Sequence, residues 1–597
     1  GMGSRQRLKN MLRKRVVPEK VNTKEELLKV LTALEANNVD YFPRQLVVAM
    51  ADLDMHLSLT DQKRLYAYMT NPVFIESMLT IVTLFEHPSM ISSYGFKTDL
   101  PDLSRESFRE HYVVTSIVCE AGPRHAAIRS VIVDKPKLFN IIVGCIEDQH
   151  RLDSVVAPSV ADIFLSLLKD HPEKVIKFVE KRPLFFQALA KRTEFEKIAG
   201  IALTLIVEHP RQTIPLMVQS KYIEILVERY TTAVEGLWST RSQYTYETIA
   251  DCARQLVSVF LDVIDKLEEF GNEDEKFLAQ LNEVNVFRDC KHIMNVLDIS
   301  IRAAELGVSH YPLYVSMKIL DSLIVTEGAL RDGNSSIDIS SFDQSLVKRI
   351  PMVMEVFMNL HKNLVPRTKG AFGELRIVLV EFYTVCLQAA GGDVLKSLLG
   401  LKLPEKMTNL IFDYPRNNMI HSAMIQMIHH SFRRNLRAFI ETWLRPSLGL
   451  TVAIVDSWGP KRTRNFPREV SVTLREIAIA MWSRLKNATA ENEEYKKLLG
   501  DAAFIREFEH ICSGFHKQRT DGKNQVRLTS RSFSFLRLVL VLLSEWLVPC
   551  PLTTRSCHDR FSEVFPSRNG THRKVPAPRP RALSNDLRQR RSSTMLR

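Results

Sequence analysis

The sequence predicts an all-α chain whose helices repeat along its length as a solenoid. Three observations carry that reading. Apolar residues recur at helical spacing through nearly the whole body, and no series of alternating strand segments interrupts them. Glycine is scarce, 22 of 597 residues, about half its usual share of roughly 7%, so the tight turns of a sandwich or barrel are missing. An acidic residue, a histidine and a proline recur together at the ends of apolar runs, as Glu86-His87-Pro88, Asp170-His171-Pro172 and Glu208-His209-Pro210. Their spacings, 84 and 38 residues, approximate two periods and one period of about 40, which is the period of HEAT- and armadillo-like repeats. Unrelated helix-end prolines are the alternative origin of this recurrence, and the body reads as helical under either account.

The elements follow in chain order. Val73 to Phe85 places Phe74, Met78, Ile81, Val82 and Phe85 on one helical face. Val175 to Ala190 does so with Ile176, Val179, Phe186 and Leu189, and Leu256 to Leu267 with Val259, Phe260, Val263 and Ile264. Proline at the first helical position suits the Pro172 and Pro210 sites. Loops are expected at 92–105, 268–276, 331–343, 391–393 and 459–468. The chain divides into a disordered basic N-terminus at 1–20, a helical-repeat domain at 21–525, a stretch at 526–552 that is either a capping helix or a gene-boundary artefact, and a disordered basic tail at 553–597. In that tail Arg, Pro and Ser dominate.

Charge is confined to the ends. The chain carries a formal +13. Residues 1–15 hold six Lys/Arg and no acid, and residues 553–597 hold eleven against Asp559, Glu563 and Asp586, so the body between them is close to neutral. A nucleic-acid-binding fold carries its charge on a folded face, so no nucleic-acid partner is expected. The most apolar stretch, Phe533 to Leu552, is interrupted by Arg537 and Glu545, and no transmembrane segment is expected. Eight cysteines with no CxxC pair exclude a zinc-finger framework and suit a reducing compartment. The expected location is the cytoplasm, with the nucleus as a second compartment.

Motifs for chemistry are sparse. No phosphate loop, dinucleotide fingerprint, zinc-protease, serine-hydrolase or kinase signature occurs, and no enzyme activity, catalytic residue, metal or cofactor is expected. His421 and His429 sit eight apart on one predicted helix, near two turns, but lack the further ligands that zinc needs. Asp332, Asn334, Ser336, Asp338 and Asp343 fall at calcium-loop positions. Ile337 stands where the sharp turn needs glycine, so a solvated loop between helices is expected. The most distinctive stretch runs from Phe412 through Asp413-Tyr414-Pro415-Arg416-Asn417-Asn418-Met419-Ile420 to His421. A helix is expected to begin at Asp413 or Tyr414, with Pro415 in its first turn. Adjacent asparagines there either cap the turn or present amides for recognition. On a helix, Tyr414, Asn417 and His421 would share one face.

This stretch resembles the tyrosine-proline, asparagine-asparagine, histidine segment of the SAPS-domain family, the regulatory subunits of protein phosphatase 6 and its yeast counterpart. Other segments are similar in the same order. They are Pro172-Glu173-Lys174-Val175-Ile176-Lys177-Phe178, Gly373-Glu374-Leu375-Arg376-Ile377, Val455-Asp456-Ser457-Trp458 and Leu474-Arg475-Glu476-Ile477-Ala478. The resemblance covers roughly residues 55–515. It departs where Asn465-Phe466-Pro467-Arg468 replaces a glycine-rich lead, and where the chain has a basic tail in place of an acidic one.

The resemblance implies a non-catalytic scaffold that binds a protein phosphatase 6-like serine/threonine phosphatase catalytic subunit, alongside other adaptor proteins, and directs it to substrates. The partner-binding residues it suggests are Arg376, Tyr414, Asn417, Asn418 and His421. Two other functions fit the same fold: a helical-repeat adaptor for a transport or cytoskeletal complex, and a peripheral membrane scaffold using 533–552 and the basic tails.

Overall fold

The computed structural model describes residues 59–83, 111–148, 152, 156–240, 242–270, 275–332, 337, 339–360, 373–459, 464–487 and 489–520. Every regular element among them is a helix. The expected disordered termini, the 526–552 stretch, the 92–105 loop and the Glu86-His87-Pro88 repeat all lie outside the described residues.

Two layers of helices stack along the chain. One layer consists of α1 (Val156–Asp170), α2 (Glu196–Glu208), α3 (Gln243–Phe270), α4 (Tyr311–Asp332), α5 (Glu374–Ala389), α6 (Asn418–Arg433) and α7 (Arg468–Leu485), each packed on the next. The second layer runs beside it through Pro136–Glu147, Leu184–Ala190, Tyr222–Gly236, Lys291–Glu305, Ser340–Asn359 and Gly392–Gly400. No single helix here could bury its apolar face alone, and stacking supplies the continuous core that a helical-repeat solenoid requires. Among the described residues no helix is long and apolar enough to cross a membrane.

The repeat read from sequence has a structural counterpart. His171 and His209 adopt nearly the same backbone, with φ/ψ of −137°/55° and −135°/51°. Each closes one helix by donating its N–H to a leucine carbonyl, Leu167 at 2.9 Å and Leu205 at 3.0 Å. Each then opens the next helix, with Pro172 or Pro210 in the first turn, where a missing N–H costs nothing. The expected run from Val175 to Ala190 is two helices, Pro172–Val179 and Leu184–Ala190. Pro183 stands immediately before the second of them and cannot donate to the preceding turn.

Aromatic rings tie the layers together. Phe164 lies 6.0 Å from Phe139 and 5.3 Å from Phe185, centroid to centroid, and is fully enclosed. Burying such a ring stabilises by roughly 1.5–3 kcal/mol. Some buried polar groups bridge the layers. Gln255 donates to the Ala199 carbonyl at 3.1 Å and to the Tyr222 hydroxyl at 2.9 Å, while Tyr230 donates to the Pro312 carbonyl at 3.0 Å.

The C-terminal end of α5 is held by two arginines. Arg331 donates to the Ala389 carbonyl at 3.0 Å, and Arg434 donates to the carbonyls of Leu387 at 3.1 Å and Ala390 at 3.0 Å. Cations there satisfy orphan carbonyls at the negative end of the helix. Arg331 also pairs with Asp343 at 2.9 Å and with the enclosed carboxyl of Glu327. Asp343 therefore turns inward, unlike the solvated loop residue expected from sequence, and Ser340 to Asn359 is helical. A Cβ at Gly391 would stand 1.9 Å from the Asp343 carboxylate, so a side chain there would have to displace this pair. Burial, then the neighbouring Asp343, pushes the Glu327 pKa up to about 8.

Candidate functional site

The stretch singled out by sequence forms the joint that leads into α6. The preceding helix, Leu403–Asp413, stops at Asp413, and the Tyr414 N–H bonds back to the Leu410 carbonyl at 3.0 Å. The chain turns through Pro415 and Arg416, and α6 begins at Asn418. The helix thus starts four or five residues later than the sequence reading placed it, and Pro415 lies in the turn. The cause is Asn417. Its side-chain oxygen accepts the N–H groups of Met419 and Ile420, both at 3.1 Å, which satisfies two orphan donors of the first turn.

Tyr414 therefore precedes the helix that carries His421, yet the turn brings the two close. Both are buried, at 9% and 4% exposure, and so is Arg376 at 4%. Arg376 sits in the first turn of α5 and donates to the Tyr414 hydroxyl at 3.0 Å, which links α5 to the joint. Gly373, just before α5, has φ of 76°, a conformation that disfavours any side chain. Burial lowers the His421 pKa, opposed by hydrogen bonding of the ring to the backbone of Ile411 and Tyr414 and by the charge of Glu469. Asn417 is half-buried, and Arg416, Asn418 and Met419 are exposed.

The other distinctive segments also meet at joints. Trp458 stands edge-on to Phe515 at 5.0 Å, and the Arg475 guanidinium lies over the same ring at 5.5 Å. Phe412 contacts Phe466 at 5.5 Å. Phe178 packs on Phe139 at 4.6 Å, and Lys174 pairs with Asp134 at 2.6 Å. His421 and His429 do not share an environment, since His421 is buried and His429 exposed. Among the described residues no group of three or more His, Cys, Asp or Glu side chains is placed to hold a metal ion.

A second polar group, not singled out from sequence, lies along the N-terminal halves of α3, α4 and α5. Tyr311 meets Tyr246 edge-on at 5.4 Å and stacks on Tyr314 at 6.2 Å. Asp251, Arg254 and Glu374 lie within electrostatic reach of Tyr311. Lys318 pairs with Glu381 at 2.7 Å and Arg254 with Asp251 at 3.2 Å. Burial, reinforced by Glu381 and opposed by Lys318, pushes the Asp321 pKa up to about 7. The available signal was Tyr311, Tyr314, Lys318 and Asp321 at steps of three and four in an otherwise apolar helix.

No protein-family model matches the chain. The chain is similar to serine/threonine-protein phosphatase 6 regulatory subunit 1 of Homo sapiens, at 20% identity over 386 residues. The match takes in 61% of this chain and 41% of that relative, so less than half of the relative's length is spanned. The relationship is distant, and the relative is a regulatory subunit of a phosphatase.

Proposed function

We propose that the chain is a non-catalytic regulatory scaffold that binds a protein phosphatase 6-like serine/threonine phosphatase catalytic subunit and directs it to substrates. The observation that carries this reading is the likeness to a phosphatase 6 regulatory subunit over 61% of the chain. The fold supports it, because stacked helices offer a long continuous surface to a folded partner. Metal ions and hydrolysis belong to the partner in this scheme. Around the α6 joint, Arg376, Tyr414 and His421 hold the turn in place from within, and Asn417 and Asn418 stand at its surface beside Arg416 and Met419. The exposed side chains contribute the contact, and the buried ones position it.

The test is direct. The purified, tagged chain is mixed with the phosphatase 6 catalytic subunit and, separately, with other serine/threonine phosphatase catalytic subunits, and capture is quantified. Retention of the phosphatase 6 subunit is expected, with no phosphopeptide turnover by the chain alone. Failure to retain any of these subunits, or metal-dependent turnover by the chain free of them, would overturn the proposal.

A further inference from the structure

We propose that the surface formed by Tyr246, Tyr311, Tyr314, Asp321, Glu374 and Glu381 is a docking site for an arginine-bearing extended segment of a protein partner. It borders the α6 joint through the first turn of α5, which carries both Glu374 and Arg376, and it does not depend on the phosphatase reading.

The chemistry of the surface selects the occupant. Three tyrosine rings in mutual contact, none fully enclosed, present aromatic area beside carboxylates. Guanidinium is the protein group that uses both, since its face is drawn to aromatic rings and its five N–H groups to carboxylate oxygens. Resident cations already use two of the carboxylates here: Lys318 pairs with Glu381, and Arg254 with Asp251. Charge remains after these pairs are counted. Glu374 is exposed and, among the described residues, pairs with no cation. Asp321 keeps its Oδ1 enclosed with no hydrogen-bond partner, although Lys318 is one turn away on α4. The surface therefore carries carboxylate in excess of cation, which favours a basic segment and repels nucleic acid. Tyrosine and arginine are also the residue types that dominate binding energy at protein interfaces.

A cation arriving beside Asp321 and Glu381 would favour the charged form of Asp321. Binding near pH 7 should then release a fraction of a proton, which calorimetry in two buffers of different ionisation enthalpy reads directly.

The experiment uses the full chain and a fluorescein-labelled peptide with arginines spaced through a Gly/Ser backbone. The comparison peptide replaces each arginine by citrulline, which keeps the shape and removes the charge. Anisotropy should show binding of the arginine peptide and a loss of tenfold or more, as an order of magnitude, with citrulline. A lysine peptide should bind between the two, because an ammonium cannot reproduce the planar fork. Glu374→Gln and Tyr314→Leu should each weaken the arginine peptide by roughly threefold to tenfold. Glu374 is exposed, so its variant keeps the wild-type melting curve and the reading survives even if Tyr314→Leu unfolds. Equal binding of the citrulline peptide, no binding of the arginine peptide, or unchanged affinity in a folded Glu374→Gln variant would each overturn the proposal.

Discussion

Two regions lie along the same layer of helices and use similar side chains in opposite ways. In the joint leading into α6, an arginine, a tyrosine and a histidine turn inward, and the Arg376–Tyr414 hydrogen bond is enclosed. Along α3, α4 and α5, tyrosines and charged groups stay half-buried, with Glu374 exposed. In the first region a bond between two polar side chains, Arg376 and Tyr414, closes the fold from within. In the second, carboxylates outnumber the cations that pair with them, and the proposed arginine segment would meet that excess. The rarity of a residue combination in the sequence therefore tracked a joint, while the surface with unmatched charge was made of ordinary helical residues.

The largest expected effect separates the two regions by stability. Arg376→Met should remove the bond that ties α5 to Tyr414, at a cost of about 2–3 kcal/mol. Tyr314→Leu, half in water, should change stability by less than about 1 kcal/mol. Urea unfolding followed by circular dichroism measures both. A costly Tyr314→Leu with a harmless Arg376→Met would reverse the comparison.

The second effect is on pH dependence, and its sign can be worked out. Glu327 and Asp321 hold their protons in the folded chain up to about 8 and about 7, against ordinary values of 4.5 and 3.8. Burial is the main cause in both, with Asp343 and Arg331 facing Glu327, and Lys318 and Glu381 facing Asp321. The folded state binds more protons than the unfolded one through that window, so stability falls as pH rises through it. His430, pushed down to about 4 by burial and neighbouring cations, and His421 and His310, also lowered by burial, act oppositely below their ordinary value of 6.5. Through Asp321 and Glu327, stability should decline between pH 6.5 and 8.5 by about 2 kcal/mol. Asp321→Asn should remove the early part of the decline and Glu327→Gln the later part. A melting temperature that climbs steadily from pH 6.5 to 8.5 would contradict both assignments.

The sequence showed the all-α repeat because the signal is local and redundant. Helical spacing recurs in every segment, and the His171 and His209 joints share one backbone conformation, so the same three residues recur. The start of α6 was misplaced because two accounts of Pro415 compete locally. Proline fits a first turn as well as a preceding turn, and only the Asn417 cap, with its bonds to Met419 and Ile420, decides between them. Asp343 was read as solvated because nothing nearby in sequence shows that Arg331 and Gly391 close over it. The tyrosine–carboxylate surface is assembled from three helices separated by long connections. Its charge imbalance exists only after folding.

The third effect is smaller and tests the cap. Asn417→Ala should cost about 1 kcal/mol, because two N–H groups at the start of α6 lose their acceptor. Asn417→Asp should recover most of that loss, since a carboxylate accepts the same bonds and favours the positive end of the helix. If alanine and aspartate behave alike in urea unfolding, the cap does not set the start of the helix.

The smallest effect on stability carries the most information about function. Asn418 is exposed, and its neighbour Asn417 already supplies the cap. Asn418→Ala should therefore change stability by no more than about 0.5 kcal/mol, the usual range for a surface position. Met419 is 52% exposed, and its truncation to alanine should be equally mild. If the joint presents these side chains to a phosphatase catalytic subunit, the double variant should bind that subunit roughly tenfold more weakly while unfolding like the parent chain. Binding measured by surface plasmon resonance, beside urea unfolding of the same preparations, separates the two contributions. Unchanged affinity in the double variant, with the parent chain retaining the phosphatase, would show that the joint only holds α5, α6 and α7 together. The contact would then lie elsewhere along the stack, and the tyrosine–carboxylate surface is the next place to cut, beginning with Glu374→Gln.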